Sequence, residues 1–251
     1  SSGHHFVCAH PPLRPCALFV TVATSVSLAR VASRGAGTRD KAERTMTTPH
    51  IHLHKGDLPA GLTFPNGVAI DSETMGLNPH RDRLCLVQLS GGDGQAHLVQ
   101  FEAGQYAAPN LKALLSDAKT LKIFHFARFD IAVLEKYLGV MTAPIYCTKI
   151  ASKLARTYTD RHGLKDLVGE LTGVELSKQQ QSSDWGTATL SEAQRAYAAS
   201  DVLYLHQVKA KLDDMLAREG RTELAESAFR FLPARARLDL GGFEEMDIFS
   251  H

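Results

Sequence analysis

The apolar run Val68-Ala69-Ile70 leads straight into Asp71 and Glu73. Such a run reads as a strand, and residues two apart on a strand project to the same side, so both carboxylates leave its end together. Because the residues before them belong in a core, the pair sits at the edge of that core. The chain therefore needs a sheet whose strand ends open into a cleft, the place where α/β sheets take ligands. Alone, a D-x-E pair is also what an ordinary solvated surface looks like.

Its companions lie further along. Asp130 closes the run His125-Phe126-Ala127-Arg128-Phe129-Asp130, and Tyr197 and Asp201 stand four apart in a helical stretch, hence on one helix face. Each has a plain alternative: a carboxylate at a helix start caps it or complements its dipole, and a Tyr-x-x-x-Asp pair suits an exposed helix face. Taken together and in this order they point to chemistry. Four carboxylates gathered without a counterion repel one another, whereas two divalent cations, Mg²⁺ or Mn²⁺, balance them and clamp a phosphodiester.

Strands are predicted at 68–71, 84–89 and 96–99, with Gly91-Gly92-Asp93-Gly94 as the turn between the second and third. A fourth is expected at 121–124 and a fifth at 145–147. Helices follow from the spacing of Ile131, Leu134 and Leu138, from Ile150 and Leu154, and over 163–171. The polar stretch 177–185 is expected as an ordered loop, since Trp185 needs burial. Ser191 and Gln194 form a capping box that opens one long helix, running to about Ala217 and stopping near Gly220. Strands first and helix-strand alternation afterwards give an α/β fold, a mixed β-sheet flanked by helices.

At 251 residues and 44% hydrophobic content the chain can bury one sizeable core. Its net charge of +1 conceals an asymmetry, because residues 1–45 hold six Lys/Arg against Asp40 and Glu43, leaving the remainder mildly acidic. Such a domain holds long nucleic acid poorly, so contacts with it should be short, local and metal-assisted. Four cysteines without a CxxC fit a reducing compartment and a cytoplasmic location. No apolar run is long enough to span a bilayer. Residues 1–45 are expected to be a non-native or disordered extension before Met46, with a targeting segment as the alternative, and 46–251 a single domain with a helical C-terminal tail.

The runs Asp71-Ser72-Glu73-Thr74-Met75-Gly76-Leu77, Tyr197-Ala198-Ala199-Ser200-Asp201-Val202 and the loop 178–185 resemble the DEDD 3′-5′ exonucleases of RNase H-like fold. They are similar to the RNase D branch, which uses a tyrosine; the sister branch's histidine would fall at Ala196. Ser72 departs from the threonine usual there. Pro79-His80-Arg81-Asp82-Arg83-Leu84, Arg161-His162-Gly163-Leu164-Lys165 and the C-terminal ending further resemble the short nano-RNase C group.

The resemblance implies that Asp71, Glu73 and Asp201 hold one cation and Asp71 with Asp130 the other, while Tyr197 orients the attacking water. It implies diribonucleotides as preferred substrate, possible action on DNA ends, and a homo-octameric ring. Leu77 resembles the family's wedge against a terminal base, or is a core leucine. Thr74 is placed beside the substrate. His125 contacts a nucleotide or is a satisfied histidine at a helix start. Arg161, His162, Lys178 and Gln179 offer donors to a substrate phosphate, or are solvated.

Several readings compete. An RNase D-type enzyme trimming structured RNA is one, and an inactive interaction module is another. The alternating His50, His52 and His54 could bind zinc, though fraying is expected at that end. The glycine cluster at 91–94 lacks the GK[ST] of a phosphate loop. The tail 229–249 mixes arginines with apolar residues and suits a subunit contact or packing within the chain.

Overall fold

The computed structural model describes residues 49–251; the reading of residues 1–45, with Cys8 and Cys16, lies outside the described residues. Strands β1 (His50–Lys55), β2 (Val68–Thr74), β3 (Leu84–Ser90), β4 (Gln95–Gln100), β5 (Lys122–Phe124) and β6 (Ile145–Cys147) form one sheet in the order β1-β4-β3-β2-β5-β6. The predicted meander is its middle, β2 to β3 to β4 antiparallel. β5 adds parallel to β2, β6 parallel to β5, and β1 parallel to β4. Gly67 starts β2 with φ 83°, and a Cβ there would come within 2.9 Å of the Leu121 carbonyl oxygen, so the chain can enter between β3 and β5 only through glycine.

Helices follow in the order α1 (Pro109–Ser116), α2 (Ala127–Leu138), α3 (Thr148–Ala155), α4 (Leu164–Thr172), α5 (Glu192–Leu203), α6 (Leu205–Arg218) and α7 (Thr222–Leu240). They cover both faces of the sheet, because its strands carry apolar residues on both sides. Leu86 and Leu98 pack with Trp185, Leu190 and Ala198 under α5. Ile70, Val87, Leu89 and Ile123 join the larger core with Ile131 and Leu134 of α2 and Val208 and Leu212 of α6. β3 is buried at every residue, as a central strand covered on both faces must be.

Two expectations need correction. His50–Lys55 does not fray: it pairs along its whole length with β4, and the rings of His52, His54 and His97 stack. Among the described residues the group whose ligand atoms converge is acidic and excludes these imidazoles. The long helix expected from Ser191 is two helices, broken at Tyr204, where φ is −105° and ψ −4°. The capping box at its start is present as predicted. α5 lies on β2, β3 and β4, whereas α6 lies on α3, α4 and β5, so the chain must turn between them. No Gly or Pro marks that turn. Among the described residues no helix is long and apolar enough to cross a membrane.

Candidate active site

Asp71 and Glu73 project from β2 toward α5, the face on which Leu86 and Gln88 are their cross-strand partners. α5 brings Asp201 to them, and one carboxylate oxygen from each of the three lies within 4.8 Å of the others. Ser72, between the two acids, alternates to the opposite face and donates its hydroxyl to Asp130 Oδ1 at 2.7 Å. Asp130, in the first turn of α2, is 3% exposed. A helix from each layer thus delivers a carboxylate to the end of one strand.

These acids are poorly compensated. Burial pushes Asp71 up to about 7, and burial together with repulsion from Asp71, Asp201 and Asp130 pushes Glu73 up to about 10. Asp130 and Asp201 are raised well above the carboxylate range by burial and then by Asp71. Against this stand the Ser72 hydroxyl and a long contact from Gln88 Nε2 to Asp71 Oδ2, 3.3 Å. A set of hard oxygen donors carrying excess negative charge suits Mg²⁺ or Mn²⁺, not a soft metal.

Tyr197 sits one helical turn before Asp201, close enough that its phenol partly offsets the rise of that carboxyl. Burial and then the charges of Asp201, Glu73 and Asp71 raise its pKa, so the hydroxyl keeps its proton. Trp185, 3% exposed, packs against the Tyr197 ring at 6.0 Å between centroids. The polar loop before Trp185 is therefore tied down where expected, and it fixes the tyrosine.

The proposed substrate contacts fall into two groups. Leu77 is 86% exposed, which rules out the core alternative, and the turns on either side of it are held by local hydrogen bonds. Thr74 Oγ1 donates to the Gly76 carbonyl, and a Cβ on Gly76 would meet Asp82 Oδ2 at 2.3 Å. Asp82 in turn accepts from the Asn78 amide at 3.0 Å. His125 lies on the other side. Its Nδ1 is 2.9 Å from Thr148 Oγ1, whose hydroxyl donates to the Phe124 carbonyl at 3.1 Å, so His125 is the donor to Thr148. Burial and then the Lys149 charge push it down to about 3, so the ring is neutral.

The His162 backbone touches His125. The His162 ring is held by Ser152 Oγ at 2.8 Å, and Arg161, although exposed, is paired with Asp166. Lys178 is near enough to Asp166 to help lower that carboxyl. Lys178 and Gln179 are both exposed.

Sequence reasoning missed Gln88, the one polar residue inside the run Leu84-Cys85-Leu86-Val87-Gln88-Leu89, and noticed Ser72 only as a departure. A buried amide in an apolar central strand was the available signal.

Residues 60–217 match the 3′-5′ exonuclease family. Ribonuclease D of Gluconacetobacter diazotrophicus is 38% identical over 174 residues, which are 68% of this chain and 44% of that protein. The chain thus spans about half or less of the length of the ribonuclease D relatives it matches. Among solved structures, Brucella melitensis NrnC bound to pGG superposes with a TM-score of 0.79 at 59% identity, covering 81% of this chain and 99% of that one. NrnC has also been solved with bound Mg²⁺. Escherichia coli RNase D, described as an exoribonuclease involved in structured RNA processing, gives 0.60 at 28% identity over 69% of this chain and 45% of its own. With this fold and these matches, the chain belongs to the 3′-5′ exonuclease family, in the DEDD, RNase D-like group of divalent-metal-dependent enzymes.

Proposed function

We propose that this protein removes nucleotides from the 3′ end of very short RNA, diribonucleotides above all, and releases nucleoside 5′-monophosphates. The observation that carries the reading is the convergence of Asp71, Glu73 and Asp201 as raised, mutually repelling acids beside Asp130. Asp71, Glu73 and Asp201 would hold one cation, and Asp71 with Asp130 a second. When bound, Mg²⁺ or Mn²⁺ supplies charge neutralisation at the phosphodiester and a nucleophile usable at neutral pH.

The chain's own groups do the positioning. Tyr197, whose pKa burial and the neighbouring acids raise, would donate from Oη to orient the attacking water. Leu77 offers an exposed apolar wedge at the cleft mouth. His125, neutral and anchored at Nδ1 by Thr148, presents its remaining nitrogen toward the loop of Arg161 and His162. With Lys178 and Gln179 these would take the 5′ phosphate of a short substrate.

The length preference draws support from the NrnC likeness, which spans nearly all of that protein, and from the lack of a basic track for long strands. Exposed Phe231, Phe243, Met246, Ile248 and Phe249 suit a homo-oligomer, an octameric ring in the reading given above. The likeness to Escherichia coli RNase D favours the second reading, trimming of structured RNA.

A time course with Mn²⁺ on a 5′-labelled diribonucleotide and on a longer single-stranded RNA, with Asp201→Asn as control, separates the two. Fast release from the dinucleotide and slow attack on the longer strand is expected. Equal or faster trimming of the longer strand would return the protein to the RNase D type, and no release from either would end the enzymatic reading.

A further inference from the structure

Phe126 stands as the N-cap of α2 with φ 70° and ψ 44°, in the left-handed region. A bulky residue with a Cβ is disfavoured there, and Gly or Asn ordinarily fills such a position. One other non-glycine residue among those described has positive φ, Ala108 at 35°, and it is 1% exposed within the core, where packing holds it. Phe126 is far less packed: the residue is 45% exposed. Strain that brings little packing in return, four residues before buried Asp130, is the kind retained for a ligand.

The surroundings indicate which ligand. Phe126 lines a cavity of about 510 Å³ together with Leu77, His80 and Phe129 and with Arg128 and the acids Asp239, Glu244 and Glu245, large enough for a nucleotide whose base rather than its phosphate enters it. It also borders a smaller one, about 270 Å³, whose rim carries Arg128, Lys149, Lys153 and Arg235. Lys149 Nζ lies over the ring, 4.2 Å from its centroid, so a cation backs one face of a residue that is 45% exposed. Leu77, the exposed apolar side chain on the same large cavity, comes from the loop after Asp71 and Glu73; Phe126 comes from the segment before Asp130. The cavity is therefore bounded by the two chain segments that carry the acids.

We infer that Phe126 is a stacking platform that seats one nucleobase of the substrate in the cavity it shares with Leu77. The inference rests on reading the cleft as a nucleotide site. Stacking on an aromatic ring is tolerant of base identity, so the platform adds affinity without base choice.

The test pairs Phe126→Asn with Phe126→Trp. Asn suits the left-handed backbone, so Phe126→Asn should leave Tm unchanged or raised while KM for a diribonucleotide rises about tenfold or more at nearly constant kcat. Phe126→Trp should keep KM close to the parent value. The chain has one tryptophan, the buried Trp185. Phe126→Trp therefore adds an exposed indole whose emission adenosine or guanosine 5′-monophosphate should quench, with little change in the parent protein. That readout needs no hydrolysis, so it separates failure of the platform from failure of the exonuclease reading. An unchanged KM in Phe126→Asn, or emission from Phe126→Trp that nucleotides do not alter, would overturn the inference.

Discussion

Arg156 and the acids around Asp71 both carry charge into the protein interior, and the chain treats them in opposite ways. The Arg156 side chain is wholly buried, yet each end of it is answered: Glu170 pairs with it, Ser152 Oγ accepts at 2.9 Å, and the Arg161 carbonyl accepts at 2.8 Å. Asp71, Glu73, Asp130 and Asp201 are answered chiefly by one another, and repulsion adds to burial in raising Glu73, Asp130 and Asp201. A satisfied buried charge fixes structure, here the loop of Arg161 and His162; an unsatisfied cluster stores free energy that, on the proposed function, a bound cation would release. On that proposed function, the difference separates scaffold from site.

Removing one acid should expose that difference most strongly. Asp201→Asn is expected to lower kcat by on the order of 10³-fold or more, since each factor of ten is about 1.4 kcal/mol and cation clamping contributes several. Tyr197→Phe should lower kcat by at least ~10²-fold while Mn²⁺ affinity, read by calorimetry, is unchanged. Unaltered turnover in either variant would remove that residue from the chemistry.

Arg156→Met acts on the other region. It leaves Ser152 and the Arg161 carbonyl without their buried donor, so chemical denaturation should show a loss of about 2 kcal/mol. KM should rise through the loosened 161–162 loop, and an intact Tm would mean that the network contributes no stability.

The smallest expected effect is a pH dependence. With folded pKa values above the unfolded ones, the acids keep protons in the native state that the unfolded chain releases near pH 4. Stability without cation should therefore fall as pH rises from about 4 to about 7, the value to which Asp71 is pushed. Melting in EDTA at pH 5.5 and 7.5 checks the sign, and Mn²⁺ should erase the difference. For Glu170, whose carboxyl Arg156 holds low, the sign is reversed: its contribution is present above the ordinary carboxylate range and lost on acidification.

Much of this was legible in the sequence where local pattern and tertiary need coincide. The apolar run into Asp71-x-Glu73 marked a strand with two acids at its end, and the capping box at Ser191 placed the start of α5. What was hidden depends on partners distant in sequence. β1 is ordered because β4 receives it, a pairing invisible in a histidine-rich stretch near an apparent start. The break at Tyr204 follows from α5 and α6 packing on different elements, and nothing in the sequence singles out Phe126, whose left-handed backbone is visible only in the fold.

The most direct test of the stored repulsion is a set of melting curves at pH 7.5 for the parent protein and Asp201→Asn, each with EDTA and with Mn²⁺. In EDTA the variant should melt higher than the parent, because one repelling charge is gone. Mn²⁺ should raise the parent and move the variant far less. A variant that melts lower in EDTA, or a parent that Mn²⁺ does not stabilise, would contradict the claim that these buried acids are a strained site completed by divalent cations.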